Sequence, residues 1–408
     1  MYERILTPIL RDALQDSPVI LLNGARQVGK STLIRFILEN SHDYYTLDDP
    51  SILNLLKKDP LTFLQNLKKP VVIDEIQRAP ESFIAIKKIV DEKRIPGFFV
   101  LTGSANVLAL SKLSESLAGR MEVYTLWPLS QAELEGTSID FISKLFEENT
   151  SFSIKNSAHD DDILERLLKG GYPPAILKKD ALRRKYWFRS YIMTLLQKDI
   201  RDLTHIEGLS EIPNLLSLLA TRVGTLMNTS EISRSMGLPN TTLKRYLTLL
   251  ETLYLITPLP AWSSNLSKRL IKTPKIFFND TGIVSYLLSL SKESLLFQKH
   301  ILGHLLENFV VSEVLKAVSY SSEIVHAFHY RTHSGQEIDI LLQNAHGKIA
   351  GIEVKSKSSV QKEDFKGIFA LEEDIKEKFV CGVVLYMGKT IIPFGHNKYA
   401  LPISILWD

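Results

Sequence analysis

Apolar residues at the front of the chain fall into short runs separated by stretches of helical spacing. Runs at 18–23, 43–47, 70–74, 97–103 and 121–126 predict five strands. Strands alternating with helical patterns predict βαβ units in a doubly wound parallel sheet. Residues 136–162 turn polar and mark a boundary. From about Ile163 the periodicity becomes helical, broken at Gly170-Gly171-Tyr172-Pro173 and resumed as an amphipathic stretch from Leu182 to Leu203. Between 228 and 256 two short helical patterns flank the turn Gly237-Leu238. From about 299 the pattern is α/β again, with a helix over 302–316 and strands at 337–342 and 349–355. These shifts divide the chain into segments 1–135, 136–215, 216–295 and 296–408.

The first loop carries chemistry. Pro18-Val19-Ile20-Leu21-Leu22 leads into Gly24-Ala25-Arg26-Gln27-Val28-Gly29-Lys30-Ser31-Thr32, the spacing of a phosphate-binding loop between a strand and a helix. Its glycines let backbone N–H groups wrap a β-phosphate at a helix start. Lys30 is expected on the β- and γ-phosphates and Ser31 on Mg²⁺. The strand Val71-Val72-Ile73 ends in Asp74-Glu75. Asp74 is expected to complete the metal shell and Glu75 to deprotonate the attacking water. A third strand ends in Thr102-Gly103-Ser104-Ala105-Asn106. Ser104 and Thr102, with Asn106 behind them, are candidates to sense the γ-phosphate; the other reading is a glycine turn closed by its own side chains. Arg120 either reaches a neighbouring subunit's γ-phosphate or pairs on the surface.

Farther along, Asn228-Thr229 caps one helix and Pro239-Asn240 opens a second, in helix-turn-helix grammar. Thr241, Thr242, Lys244 and Arg245 are expected to face DNA, with basic residues at 268, 269, 272 and 275 forming a wing on phosphates; such modules also serve as packing units. Gly170 to Pro173 either sets a helical lid over the nucleotide or makes an ordinary turn. In the last segment Glu307 lies on the helix, Asp339 on one strand, and Glu353 and Lys355 on one face of the next. Two acids on Mg²⁺ or Mn²⁺ with a lysine beside the attacking water would cleave a phosphodiester. Tyr330-Arg331 would contact a phosphate. The alternative is a cross-strand salt bridge on a solvated face.

The net charge of +3 permits contact with nucleic acid without arguing for it, so any basic footprint is local. The single cysteine, Cys381, sits in an apolar run and cannot form an internal disulfide, which suits a reducing cytosol. No run approaches ~18 apolar residues, so no membrane span is expected. Met1-Tyr2-Glu3-Arg4 opens a charged amphipathic helix rather than a signal peptide. The expected location is cytoplasmic.

Taken together, these motifs resemble the prokaryotic AAA+-type P-loop ATPases whose core is joined to a C-terminal domain of unknown function. Leu47-Asp48-Asp49-Pro50, Ile73-Asp74-Glu75-Ile76-Gln77, Ser116-Leu117-Ala118-Gly119-Arg120, Lys198-Asp199-Ile200, Glu307-Asn308-Phe309 and Gly335-Gln336-Glu337-Ile338-Asp339 add to the resemblance. The C-terminal segment also resembles the PD-(D/E)xK nuclease fold, whose acidic pair and lysine fall on Asp339, Glu353 and Lys355, with Glu307 upstream. The resemblance implies an α/β chain: an AAA+-like ATPase core at 1–135, a helical lid at 136–215, a winged helix-turn-helix at 216–295 and a nuclease-like domain at 296–408. The expected ligands are ATP and Mg²⁺, with Mn²⁺ as an option at the C-terminal site, and the expected partners are DNA and further copies of the chain. The preferred reading is an ATPase coupled to a DNA-associated activity, extending to metal-dependent cleavage. The alternative is an ATP-gated switch with an inactive nuclease-like scaffold.

Overall fold

The computed structural model describes residues 2–39, 41–106, 117–138, 140–147, 150–154, 160–199, 209–265, 269, 272–332 and 335–408. Ser116, Ile200 and Lys268, together with residues 157–159 and 201–203, lie outside the described residues.

The five front strands are β1 (Val19–Asn23), β2 (Asp43–Thr46), β3 (Val71–Asp74), β4 (Phe99–Gly103) and β5 (Met121–Thr125). They form one parallel sheet in the order β2-β3-β4-β1-β5. Every residue of β1, β3 and β4 is buried, as their near-continuous apolar runs require for strands covered on both faces. The register sets Asn23 beside Gly103 and Ile73 beside Leu101. The C-terminal ends of β1, β3 and β4 therefore meet at one edge, where an open α/β sheet places its ligand.

The middle of the chain is helical. Asp180 caps the helix Ala181–Thr194 by accepting from the Leu182 and Arg183 N–H groups. Leu195–Asp199 continues in π-helical form, so the expected stretch to Leu203 is shorter as a regular helix. Helices Ile212–Ala220, Thr229–Met236 and Asn240–Thr252 follow, then the antiparallel pair β6 (Ile256–Leu259) and β7 (Lys275–Phe278). Asn228 accepts from Glu231 N at 3.1 Å, and Gly237 at φ 64° ends the helix it caps. The turn at 170–173 is pressed between two neighbours. A Cβ on Gly170 would lie 2.2 Å from Asp280 Oδ1, and one on Gly171 would lie 2.2 Å from the Leu129 carbonyl. Asp280 accepts from Gly171 N and Ile283 N, and its full burial pushes its pKa up to about 6.

The last segment is a six-stranded sheet in the order β12-β13-β11-β10-β9-β8, built from β8 (Val325–Arg331), β9 (Glu337–Asn344), β10 (Ile349–Lys355), β11 (Phe379–Tyr386), β12 (Ile392–Pro393) and β13 (Lys398–Pro402). Leu342, Ile352 and Leu385 share a core with the helix Lys299–Tyr320, while Leu341, Val384 and Tyr386 join another under the helix Lys366–Ile375. Cys381 is buried on β11, and burial pushes its thiol up to about 12.

One apolar core runs from Leu6 and Ile20 through Leu167 and Leu250 to Phe309 and Leu385. The sheets therefore share a core through the helix Lys299–Tyr320 instead of standing as isolated units. Polar contacts reinforce the join. Asn308 holds both backbone groups of Phe278, at 2.7 and 2.9 Å, and Glu313 accepts from Gln131 N at 2.8 Å. Lys316 bonds Glu313 at 2.7 Å and the Leu129 carbonyl at 3.3 Å. No helix among the described residues is long and apolar enough to cross a membrane.

Candidate functional sites

The first site forms where β1 ends. Gly24 has φ 146°, and a Cβ there would meet the Leu126 carbonyl at 2.2 Å, so the loop backbone lies directly against the end of β5. Gly29 at φ 102° releases the helix Lys30–Leu38. Lys30 is 6% exposed, and its ammonium donates to the carbonyls of Gly24 at 2.8 Å and Ala25 at 2.9 Å. Its cationic end thus lies within the loop that sequence spacing assigns to phosphate.

The carboxylates stand at the end of β3. Asp74 is buried and accepts from Ser31 Oγ at 3.3 and 3.4 Å, from Tyr44 OH at 2.7 Å, and from Thr102 Oγ1. Burial, then the bond to Asp74, pushes the Tyr44 phenol up to about 12, so it stays a donor at neutral pH. Glu75 takes the left-handed conformation, φ 62°, which turns its side chain off the strand path. Its Oε2 accepts from Ser104 Oγ at 2.8 Å and from Gln77 Nε2, and Gln77 also donates to Ser104 Oγ at 2.9 Å. Ser31 and Asp74 thus adjoin as a metal pair requires, and Glu75 is held apart by its own two donors. Thr102 also accepts from Glu75 N at 3.4 Å, whereas Asn106 donates its backbone N–H to the Thr252 carbonyl at 2.8 Å. The phosphate loop, the buried Lys30 and the Ser31–Asp74 pair fit a nucleoside triphosphate with Mg²⁺.

Residues far from the motifs complete this site. Arg4, 5% exposed, donates to the Val28 carbonyl in the loop at 2.8 Å, to the Trp127 carbonyl at 2.6 Å, and to Glu133 Oε1 at 2.9 Å. Tyr191 OH, on the helix after the Gly170 turn, donates to the Arg26 carbonyl at 3.4 Å. Arg4 precedes the first helix, Leu6–Ala13, instead of opening it. Tyr44 and Gln77 carried only weak signals: a polar tip at a strand end, and an amide two residues beyond Glu75. Arg120 lies at the opposite end of the sheet, just before β5, and pairs with Asp91 at the surface. That position excludes it from the phosphates of its own chain.

The second site lies on the rear sheet. Period-two alternation does put Glu353 and Lys355 on one face, 2.6 Å apart as an ion pair along one strand. The pairing of β9 with β10 runs to Ile352 opposite Ile340, and Asp339 Oδ2 then accepts from Val354 N at 2.9 Å. Asp339 and Glu307 do converge, but the cation between them is Lys275. Its ammonium is 2.8 Å from Glu307 Oε1, 3.5 Å from Asp339 Oδ1 and 3.8 Å from Glu337 Oε2. Burial lowers the Lys275 pKa, but Glu307 and Asp339 outweigh it and hold the lysine above its ordinary range. Burial and the Asp339 charge push both Glu307 and Glu353 up to about 8.

Three expectations are corrected here. The acids are expected on Mg²⁺ or Mn²⁺; like charges in contact need a counter-ion, and here a lysine supplies it. Among the described residues no group of three or more His, Cys, Asp or Glu side chains is arranged to hold a metal, so Glu307, Asp339 and Glu353 do not form a ready metal site. Lys275 does not belong to a wing on phosphates, because it is buried. Arg269 also turns inward, over the rings of Trp262 and Phe328 at 5.3 and 5.0 Å, which leaves Lys272 exposed. Tyr330 is buried and donates to Asp374 at 2.9 Å, while the half-exposed Arg331 pairs with Glu337 at 3.1 Å, so neither is free for a phosphate as expected.

Comparison with known proteins gives matches to three stretches of the chain. Residues 16–135 match an AAA domain, 160–294 a domain of unknown function (DUF8612), and 302–406 another (DUF4143). An uncharacterized protein of Mycobacterium tuberculosis is 30% identical over 351 residues, covering 86% of this chain and 73% of that protein. An uncharacterized protein of Haemophilus influenzae is 23% identical over 390 residues, covering 89% of this chain and 88% of that one. A Walker-type ATPase of Pyrococcus abyssi is a solved structure with 18% identity and a TM-score of 0.44, covering 71% of this chain and 96% of that one. With 30% identity across most of both sequences and an AAA domain over the phosphate loop, the chain belongs to one family with the mycobacterial protein, and its front domain is a P-loop AAA-type ATPase domain.

Proposed function

We propose that the chain is a Mg²⁺-dependent ATP hydrolase whose cycle drives or gates an activity on DNA. The observation that carries the hydrolase reading is the separation of roles at the end of β3: Asp74 is tied to Ser31, while Glu75 is tied to Ser104 and Gln77. Bound Mg²⁺ would neutralise charge on the β- and γ-phosphates. Lys30 moves from the loop carbonyls to the phosphates, and the loop N–H groups bind the same anion. Ser31 and Asp74 hold the metal shell. Glu75 orients the water and takes its proton, and Ser104, donating to Glu75, is placed to report the state of that carboxylate to β4. Arg120, being remote from its own site, acts on a second copy's γ-phosphate in this reading, which makes the working form a homo-oligomer.

The DNA reading rests on the helix Asn240–Thr252. Leu243, Tyr246, Leu247 and Leu250 are buried, whereas Thr241, Lys244 and Arg245 are exposed and Thr242 is half-buried. Three helices followed by the β6–β7 hairpin support a winged helix-turn-helix, with the recognition face at the start of this helix. Replacing both Lys244 and Arg245 by alanine should weaken duplex binding and lower the slope of log K against log salt by about 2. Fluorescence anisotropy at several salt concentrations reads this directly, and an unchanged slope would assign the helix a packing role.

A second reading is favoured by Lys275. With a lysine between Glu307 and Asp339, the rear domain in this conformation is that of an ATP-gated switch whose nuclease-like fold is silent. Mn²⁺-dependent nicking of supercoiled DNA separates the two, since the nuclease reading requires cutting that Asp339→Ala abolishes.

A further inference from the structure

We infer that Lys275 is a built-in lock on the rear carboxylates: an internal cation, delivered by the helix-turn-helix segment, that keeps a divalent metal out of the site. The inference rests on reading those carboxylates as a cation site.

The lysine comes from outside the sheet that carries the acids. It begins β7, and its neighbours are tied to the middle of the chain: Ile276 N donates to the Thr225 carbonyl at 3.2 Å, and Met227 N to the Pro274 carbonyl at 2.8 Å. The acids come from two other elements, Glu307 from the helix Lys299–Tyr320, and Glu337 and Asp339 from β9. Three separate parts of the chain thus meet at one ammonium. A lysine serving only as a solvated partner of one acid needs no such convergence. This one is 5% exposed and lies within 4 Å of three carboxylates.

The surrounding backbone is shaped to admit Glu307. Gly224 lies over it at φ 75°, and a Cβ there would stand 2.9 Å from Glu307 Oε2. The same segment docks on the rear sheet by its other arm. Ala261 bridges to His329 on β8, and Trp262 N donates to the His329 carbonyl at 2.7 Å. Lys275 and the β8 contact therefore belong to one hairpin, continuous with the helix Asn240–Thr252.

A fourth acid, Glu353, feels the charges of Asp339 and Glu307 but is not among the carboxylates that Lys275 contacts. Glu353 Oε2 is buried and has no hydrogen-bond partner, while Oε1 is taken by Lys355. Buried acceptors are rarely left this way. An ammonium has three donors; Lys275 bonds Glu307 at 2.8 Å and Asp339 at 3.5 Å, while Glu337 at 3.8 Å is a longer ion-pair contact. A divalent cation gathers six or more oxygens and would use the orphaned one. The two cannot share the site, because an ammonium among the ligands repels a second cation and occupies its oxygens. Withdrawing β7 would unmask the carboxylates.

Mn²⁺ binding to the full chain tests the lock, read by electron paramagnetic resonance of free Mn²⁺ in the absence of nucleotide. The parent should show no uptake that depends on Asp339. Lys275→Met should take up one Mn²⁺ per chain, at least about tenfold more tightly than the parent. Lys275→Met combined with Asp339→Asn should lose it. ATP turnover, whose residues Lys275 does not touch, confirms that each variant is folded, and Lys275→Gln is held to the same criterion should the methionine variant not fold. Asp339-dependent uptake by the parent would overturn the lock while leaving the cation site standing. No uptake by a folded Lys275 variant would overturn both and make the lysine a structural counter-ion. Neither result bears on ATP hydrolysis.

Discussion

Glu75→Gln yields a chain that still binds ATP with Mg²⁺ but turns it over about 10²–10⁴-fold more slowly than the parent. The contacts of the phosphate loop and of Asp74 do not involve the Glu75 carboxylate, so binding survives. Glutamine keeps the size of the side chain and can still accept from Ser104, which holds Glu75 at 2.8 Å. It cannot take a proton from water. Loss of turnover with retained nucleotide is thus the signature of a missing base. A loss of binding instead would mean that Glu75 shapes the loop, and normal turnover would remove it from the chemistry. Single-turnover hydrolysis beside a nucleotide-binding titration distinguishes the three.

Lys30→Ala abolishes ATP binding over the range where the parent saturates, a loss of at least about 100-fold. Two effects combine. The charge that meets the phosphates is removed, and so are the bonds that Lys30 makes to the Gly24 and Ala25 carbonyls, at 2.8 and 2.9 Å. Those carbonyls are left in a buried loop without their donor, so the loop is also less ordered for the next ligand. Titration with a fluorescent ATP analogue measures the effect. An affinity within a few-fold of the parent would show that the loop N–H groups suffice.

What could be read in the sequence followed from how local each feature is. The phosphate loop and the Asp74–Glu75 pair are contiguous, and each follows a strand whose apolar residues announce it. All five front strands appear within two residues of their expected limits; β1, β3 and β4, buried on both faces, leave an uninterrupted apolar run, whereas β2 and β5 are only partly buried. Glu353 and Lys355 were placed on one face by strand alternation alone. Arg4 was not legible: its partners Val28, Trp127 and Glu133 are up to 129 positions away, and a buried arginine reads in sequence like any surface one. The same holds for Lys275. It looked like the last of four basic residues in an exposed wing, because nothing in the chain order says that β7 lies beside Glu307. Expecting Mg²⁺ or Mn²⁺ on Glu307, Asp339 and Glu353 leaves this lysine out, because its position depends on three elements folding together.

The central claim is that Glu75 at this phosphate loop hydrolyses ATP and that DNA controls the rate. Steady-state phosphate release from Mg²⁺-ATP, by parent and Glu75→Gln protein, without DNA and with single-stranded, duplex or branched DNA, tests it most directly. The account predicts Mg²⁺-dependent release by the parent, raised by at least one of the DNA forms and absent from Glu75→Gln throughout. Release by the parent no faster than by Glu75→Gln, with every DNA tried, would contradict it.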